Sequence, residues 1–180
     1  MMAQGLGECA PEGSGAVYPN GVYKEPLDNR EGGPVENTLY AVLKEKQGEV
    51  VTIAPTVTVR EAVDLYIRQR IGALPVVDEG KICGILSERD IVWRCVKNSL
   101  DPAVTTVGEV MTPDPICVSK EMTAEQAMVC MTQERVRHLP VVDGDRLIGI
   151  VSIGDLIKWV VRDQEHTIQD LMKYIYDVRA

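Results

Sequence analysis

The chain has 180 residues, of which 45% are hydrophobic and 26% are charged, and its formal net charge is −8 at pH 7. This composition suits one folded domain or two small repeated ones, and it excludes a largely disordered chain. The acidic surplus disfavours nucleic-acid binding, because phosphate backbones are bound by clustered Lys and Arg. No apolar run of about 18 residues occurs, so we expect no membrane-spanning helix. The first basic residue is Lys24, which argues against a targeting segment and favours a cytoplasmic location.

The cysteines indicate neither a disulfide framework nor a metal site. There are five, at positions 9, 83, 95, 117 and 130, and none forms a C-x-x-C pair. A zinc ion needs four closely spaced ligands, which His138 and His166 do not complete. We therefore expect no metal and mostly buried, reduced thiols, with Cys9 as the only plausibly reactive one.

The N-terminal part of the chain differs in composition from the rest. Residues 1–36 are rich in Gly and Pro, which interrupt both helices and strands, so they predict an irregular extension that is either loose or laid along the body. Regular structure begins near residue 37, where Leu39, Val42 and Leu43 form a short apolar stripe that predicts a helix ending at Gly48.

The chain then repeats itself at a constant offset. The sequence Leu-Pro-Val-Val-Asp at residues 74–78 recurs 65 positions later at 139–143. Gly-Ile-Leu-Ser-Glu-Arg-Asp at 84–90 is matched by Gly-Ile-Val-Ser-Ile-Gly-Asp at 149–155, with the same offset. A register kept over about 40 residues without a gap indicates one structural unit made twice.

Each copy predicts the order β-α-β-β-α. The predicted strands are 50–53 and 115–118, the helices 59–70 and 124–135, the hairpins 74–86 and 139–151, and the closing helices 88–97 and 153–163. Thr58 and Thr123 are placed to cap the first helix of each copy. A unit of about 50 residues cannot bury both faces of its sheet. The sequence therefore predicts an α/β (α+β) fold in which the two copies, residues 37–100 and 101–163, pack sheet to sheet.

A further amphipathic helix is predicted at residues 164–180. Its apolar stripe consists of Ile168, Leu171, Met172 and Ile175. The stripe suits either packing on the chain's own body or a dimer contact.

This double unit, with its two Ser-x-x-Asp motifs closing the hairpins, resembles a tandem pair of cystathionine-β-synthase (CBS) domains, the Bateman module. The resemblance covers residues 38–163 and leaves the N-terminal extension unmatched. It implies a non-catalytic regulatory homodimer that binds AMP, ATP or NAD between its repeats and signals energy or redox state to a partner. No phosphate-binding loop, nucleophile elbow or catalytic triad pattern points to an enzyme, and no catalytic cofactor is expected.

The Ser-x-x-Asp motifs allow two interpretations. Ser87 with Asp90, and Ser152 with Asp155, lie where a strand ends and a helix begins. A helix N-terminus favours an anion, and an Asp carboxylate accepts hydrogen bonds from two adjacent ribose hydroxyls. The same pattern is also a capping box, in which the Ser and the acid bond to each other's backbone. A Ser hydroxyl can serve in both helix capping and ligand binding, whereas the two roles compete for the Asp carboxylate.

The candidate phosphate ligands differ between the copies. Arg137 and His138 precede the second hairpin, where the first copy has Gly72 and Ala73, and Arg89 lies inside the first motif only. The resemblance places Arg137 at the border of the nucleotide cleft as a phosphate ligand, with His138 as a hydrogen-bonding or stacking partner. A surface Arg and a half-buried His are the structural alternative.

We expect the adenine base to lie between apolar side chains. The structural alternative is that these side chains belong only to the hydrophobic core. The candidates are Thr52, Ile53 and Ile71 for one site, and Cys117, Val118 and Val136 for the other. Two rival hypotheses stay open: a ligand-free interaction scaffold whose motifs are only helix caps, and a redox adaptor that uses Cys9 or Cys95.

Overall fold

A computed structural model describes residues 16–17, 22–24, 37–46 and 48–162. The elements run in the order β1 (Ala16–Val17), β2 (Val22–Lys24), α1 (Leu39–Lys46), α2 (Val59–Gln69), β3 (Ala73–Asp78), β4 (Lys81–Ser87), α3 (Glu88–Asp90) with a π-helical continuation (Ile91–Val96), α4 (Val107–Val110), β5 (Thr112–Pro113), β6 (Cys117–Ser119), α5 (Ala124–Gln133), β7 (His138–Asp143), β8 (Arg146–Ser152) and α6 (153–162). Cys9 and the predicted C-terminal helix lie outside the described residues.

The first helix of each repeat begins where the sequence predicts it. Thr58 accepts a hydrogen bond from the backbone N–H of Glu61, whose side chain bonds back to Thr58, and Thr123 pairs with Gln126 in the same way. Such a capping box satisfies two N–H groups that a helix start otherwise leaves without a partner. The two helices are therefore fixed at equivalent points of the repeat.

The predicted strand at residues 50–53 is wrong in extent. Only Ile53 pairs, through a single parallel bridge to Val76. The pairing cannot continue along the chain because Pro55 follows two residues later and has no backbone N–H to donate. The equivalent strand of the second repeat, β6, is real but short.

The two hairpins have the same register. Ala73 pairs with Ser87 across β3 and β4, and His138 pairs with Ser152 across β7 and β8. One sheet has the order β3-β4-β5 and the other β1-β2-β6-β7-β8. Each hairpin therefore places the first residue of its first strand opposite the Ser of the Ser-x-x-Asp motif.

Each hydrophobic core includes a helix from outside its own repeat. Leu39 and Val42 of α1 are buried in the core of the second repeat, and Val107 and Val110 of α4 are buried in the core of the first. The approach of α1 requires a glycine at 149, since a Cβ there would overlap the side chain of Leu43. The N-terminal segment of each repeat therefore packs against the other repeat.

The two repeats contact each other through their sheets. Strand β4 lies against β8, and Ile82 of the first repeat packs against Cys117 and Val142 of the second. This arrangement agrees with the predicted sheet-to-sheet packing. In the described part of the chain, no helix has the length and apolar character needed to cross a membrane.

Candidate functional site

Two adjoining cavities open between the repeats, at the end of the hairpins where the closing helices begin. Their volumes are about 270 Å³ and 610 Å³, and both are lined by Gly72, Glu88, Arg137 and His138. The smaller cavity extends to the start of α3 and the larger one to the start of α6. Ser87 and Asp90 of the first motif and Ser152 of the second thus line one cleft from opposite repeats, while Asp155 itself lines neither cavity.

Many of the predicted site residues meet in this cleft. The smaller cavity is lined by Ser87, Arg89, Asp90, Val136, Arg137 and His138. The larger one is lined by Ile71, Ser152, Arg137 and His138. The matched hairpin registers explain this convergence, because they bring the start of each first strand beside the following helix.

The Asp90 carboxylate is fully engaged by hydrogen bonds within the protein. Its Oδ2 accepts hydrogen bonds from the backbone N–H of Ser87 at 2.8 Å and from the Ser87 hydroxyl at 2.6 Å. Its Oδ1 accepts from the Thr112 hydroxyl at 2.9 Å, and the guanidinium of Arg94 lies 3.8 Å away. Asp90 is 9% exposed. It therefore forms a complete capping box and has little capacity left for a ligand in this conformation.

The Asp155 carboxylate has a different environment. Its Oδ2 accepts from the Ser152 backbone N–H and hydroxyl, both at 2.8 Å, and from the ammonium group of Lys46, also at 2.8 Å. Among the described residues, none donates a hydrogen bond to its Oδ1. Burial alone would raise the pKa of Asp155, but the hydrogen bonds from Lys46 and Ser152 hold it below its ordinary value. Asp155 is therefore a cap that retains one oxygen for a further donor.

A third cavity lies next to this acid. It has a volume of about 130 Å³, and its lining residues include Lys46 and Ile150. The ammonium group of Lys46 bonds to both the Ile150 carbonyl and Asp155. Most of the other lining side chains are apolar, and they include Val50 and Val51. Ile71 lines both this cavity and the larger cavity of the cleft, so the two spaces adjoin. Together they offer an apolar slot next to Lys46, the partner of Asp155, and a region beside Arg137.

The basic residues of the cleft are not equally available. Arg89 donates a hydrogen bond to the backbone carbonyl of Arg135 at 3.3 Å, whereas the guanidinium of Arg137 makes no hydrogen bond with any described residue. Burial, with Arg137 and Lys46 nearby, lowers the pKa of His138 below 6.5. At neutral pH, His138 is therefore an uncharged hydrogen-bonding group beside a charged Arg137.

Four predicted adenine contacts line none of the three cavities. Thr52 is exposed, while Ile53, Cys117 and Val118 are packed in the hydrophobic cores. Val50 and Val51 line the third cavity but were not predicted, although they directly precede Thr52 and Ile53 in the chain. Other lining residues were also not predicted, namely Lys46, Glu88, Trp93, Arg94 and Thr112.

Comparison with known families decides what kind of chain builds this cleft. The family model of the CBS domain matches twice, at residues 46–97 and 107–162. The chain belongs to the CBS domain family. Its two CBS domains are the two sequence repeats, so the tandem CBS pair that the Ser-x-x-Asp motifs indicate is confirmed.

Curated relatives share this pair. The CBS domain-containing protein YhcV of Bacillus subtilis is 39% identical over 108 residues, which are 60% of this chain and 76% of the relative. The CBS domain-containing protein CBSX3, mitochondrial, of Arabidopsis thaliana is 33% identical over 160 residues, covering 84% of this chain and 78% of the relative.

Solved structures share the CBS fold. The CBS domain protein NE2398 superposes with a TM-score of 0.66 at 39% identity, covering 69% of this chain and 97% of that one. The CBS domain pair of protein MJ0100, solved in complex with 5′-methylthioadenosine and S-adenosyl-L-methionine, gives a TM-score of 0.62 at 26% identity over 70% of this chain and 97% of that one. The mixed α/β architecture predicted for the repeats is therefore confirmed.

Proposed function

We propose that this CBS pair is a non-catalytic regulatory module that binds an adenine nucleotide, AMP or ATP, or NAD in the cleft between its repeats. The observation that carries the proposal is that Lys46, which bonds to Asp155, lines an apolar slot, and that this slot shares Ile71 with the cavity lined by Arg137. These are the three chemistries that a nucleotide requires: an acceptor for ribose hydroxyls, a cation for phosphate and apolar walls for a base.

In this proposal each part of the ligand has its own partner. The base enters the slot beside Ile71 and Val50, and the ribose hydroxyls donate to Asp155. The phosphate lies against Arg137, with the N-terminus of α6 at Gly154 supplying backbone N–H groups that favour an anion. Neutral His138 donates or accepts one further hydrogen bond.

A solved relative supports the adenosine part of this assignment. The ligands of the MJ0100 pair, 5′-methylthioadenosine and S-adenosyl-L-methionine, both contain adenosine. They have no phosphate, so the proposal of a phosphate-bearing ligand rests on Arg137. A cytoplasmic location stays a prediction, since the name of one relative includes the word mitochondrial.

We further propose that the module acts as a homodimer and transmits ligand occupancy to a partner protein. Large apolar side chains are exposed on its helices: Ile67 is 71% exposed and Trp93 is 66% exposed, whereas Val63 is half-buried. Apolar surface of this kind marks an interface on a folded chain. A ligand can shift the dimer between two conformations only if it binds those conformations with different affinities.

One observation favours a second candidate, the ligand-free scaffold. Both Ser-x-x-Asp motifs form capping boxes, so helix capping alone accounts for the positions of all four side chains. The redox adaptor is not favoured at Cys95, because that thiol is 0% exposed and burial raises its pKa.

A ligand titration separates the two candidates. Adenosine, AMP, ATP and NAD are each added while the melting temperature and the heat of binding are measured. A ligand at 100 times its Kd stabilises the native state by about 2.7 kcal/mol, which shifts the melting temperature measurably. The regulatory proposal expects binding by at least one phosphate-bearing ligand. Absence of binding by all of them would leave the scaffold as the function.

A further inference from the structure

The acid of the second repeat is held by a cation from outside that repeat. Lys46 is the last residue of α1, at the N-terminal end of the first repeat, and its ammonium group bonds to Asp155 Oδ2 at 2.8 Å and to the Ile150 carbonyl at 3.1 Å. In the first repeat, Asp90 is instead held by Arg94 of the following π-helical segment and by Thr112. The two acids are equivalent in sequence but have counter-ions of different origin.

The position of Lys46 conflicts with full ribose binding. Two adjacent hydroxyls bind a carboxylate best when each bonds to one oxygen, yet Asp155 Oδ2 already accepts three donors, two from Ser152 and one from Lys46. A ribose hydroxyl can therefore bond to this crowded oxygen only in place of one of the three donors. The donors from Ser152 belong to the helix cap and are fixed by the fold, so Lys46 is the donor that a diol can displace.

Lys46 is free to leave. Its side chain is 43% exposed, and α1 stays attached without it, because Leu43 packs against Gly149 and Glu45 pairs with Arg162. Lys46 also lines the apolar slot, together with Val50 and Val51. A ligand that enters the slot therefore meets the Lys46 stem and the Asp155 carboxylate at the same place.

We infer that Lys46 is an autoinhibitory occupant of the ribose subsite of the second repeat, which a ligand with a free ribose diol displaces when it binds. The inference rests on the proposed function and adds an intramolecular competitor to it. The first repeat has no such displaceable cation from outside among the described residues, since its acid is closed off by Thr112 and Arg94. The second site is therefore the one that ligand binding opens.

The test uses an uncharged diol, so that no phosphate attracts Lys46. Adenosine and 2′-deoxyadenosine are titrated into the full chain by calorimetry, using wild type, Lys46→Met and the control Lys44→Met. Lys44 lies on the same helix, 4.6 Å over the Tyr40 ring, and removing it changes the net charge equally. AMP is titrated in parallel as a check on nucleotide binding itself.

Lys46→Met should bind adenosine about threefold tighter than wild type, which is the scale of a partly exposed ion pair. The gain should be absent for 2′-deoxyadenosine, which cannot bond to both oxygens, and absent in Lys44→Met. Added salt should tighten adenosine binding to wild type but not to Lys46→Met, because salt weakens the competing ion pair. Equal or weaker adenosine binding by Lys46→Met, or an equal gain in Lys44→Met, would overturn the inference while AMP binding keeps the proposed function. If none of the three proteins binds adenosine or AMP, both are overturned.

Discussion

Replacing Asp155 by Asn separates its two roles, helix cap and ribose acceptor. The amide oxygen of Asn can still accept from the Ser152 backbone and hydroxyl, and an amide, Gln126, fills the same capping-box position in α5. What disappears is the negative charge and the ion pair with Lys46, whose side chain is 43% exposed. We therefore expect the free energy of unfolding to fall by less than about 1 kcal/mol.

The loss of nucleotide affinity should be larger. Hydrogen bonds to a charged acceptor contribute about 1.5–3 kcal/mol. Displacement of Lys46 from the wild-type acid offsets about 0.2–1 kcal/mol of this. For one such bond the net loss is then about 0.5–2.8 kcal/mol, and we expect about tenfold weaker binding, which corresponds to about 1.4 kcal/mol.

Calorimetry with AMP, ATP and NAD measures the affinity, and urea unfolding measures the stability. Asp143→Asn is a matched control, because Asp143 pairs with Lys120 at 2.6 Å and neither residue lines any of the three cavities, whereas Ser152 and Lys46, the partners of Asp155, do. The control should leave the affinity unchanged. Unchanged affinity in Asp155→Asn together with a clear loss of stability would refute the reasoning and leave Asp155 as a cap only.

Burial and, to a smaller extent, the charge of Arg137 lower the pKa of His138 in the folded state. The contribution of neutral His138 to stability is therefore complete above pH 6.5 and is lost as the pH falls through the folded-state pKa. His138→Asn should flatten the dependence of the free energy of unfolding on pH over that range, as measured by urea unfolding. Gly149→Ala places a methyl group against Leu43 and should destabilise the fold by about 1–3 kcal/mol, which a melting scan will detect and which an unchanged melting temperature would contradict. Arg137→Ala should remove the tighter nucleotide-binding event and Arg89→Ala should not, because Arg89 is already bonded to a carbonyl; calorimetry giving the reverse order would contradict this. Light scattering should give a dimer, about twice the 19.9 kDa chain mass, and a monomer at micromolar concentration would contradict the proposed assembly.

The repeat itself made most of the fold predictable. The constant offset fixes both hairpins, and the capping residues Thr58 and Thr123 fix where the helices begin, since these are local features of each copy. The convergence of Arg137 and His138 with the Ser-x-x-Asp motifs follows from the same register. Short-range patterns were sufficient for these elements.

The environment of each acid could not be predicted in the same way. Asp90 and Asp155 occupy identical positions in the repeat, but Thr112 reaches one and Lys46 reaches the other from segments that lie outside the matching motifs. Only tertiary packing brings these segments to the acids. The predicted adenine contacts near Ile53 were limited in a similar way. This segment forms only a single bridge, at Ile53, so the alternation of side chains along a strand does not determine which of its residues face the slot.

A crystal structure of the full chain grown with AMP, ATP or NAD tests the central claim most directly. The proposal predicts a nucleotide in the cleft, with its ribose hydroxyls on Asp155, its phosphate against Arg137 and its base in the slot beside Ile71. An empty cleft at saturating ligand, with the Asp155 carboxylate still bonded only to Ser152 and Lys46, would contradict it.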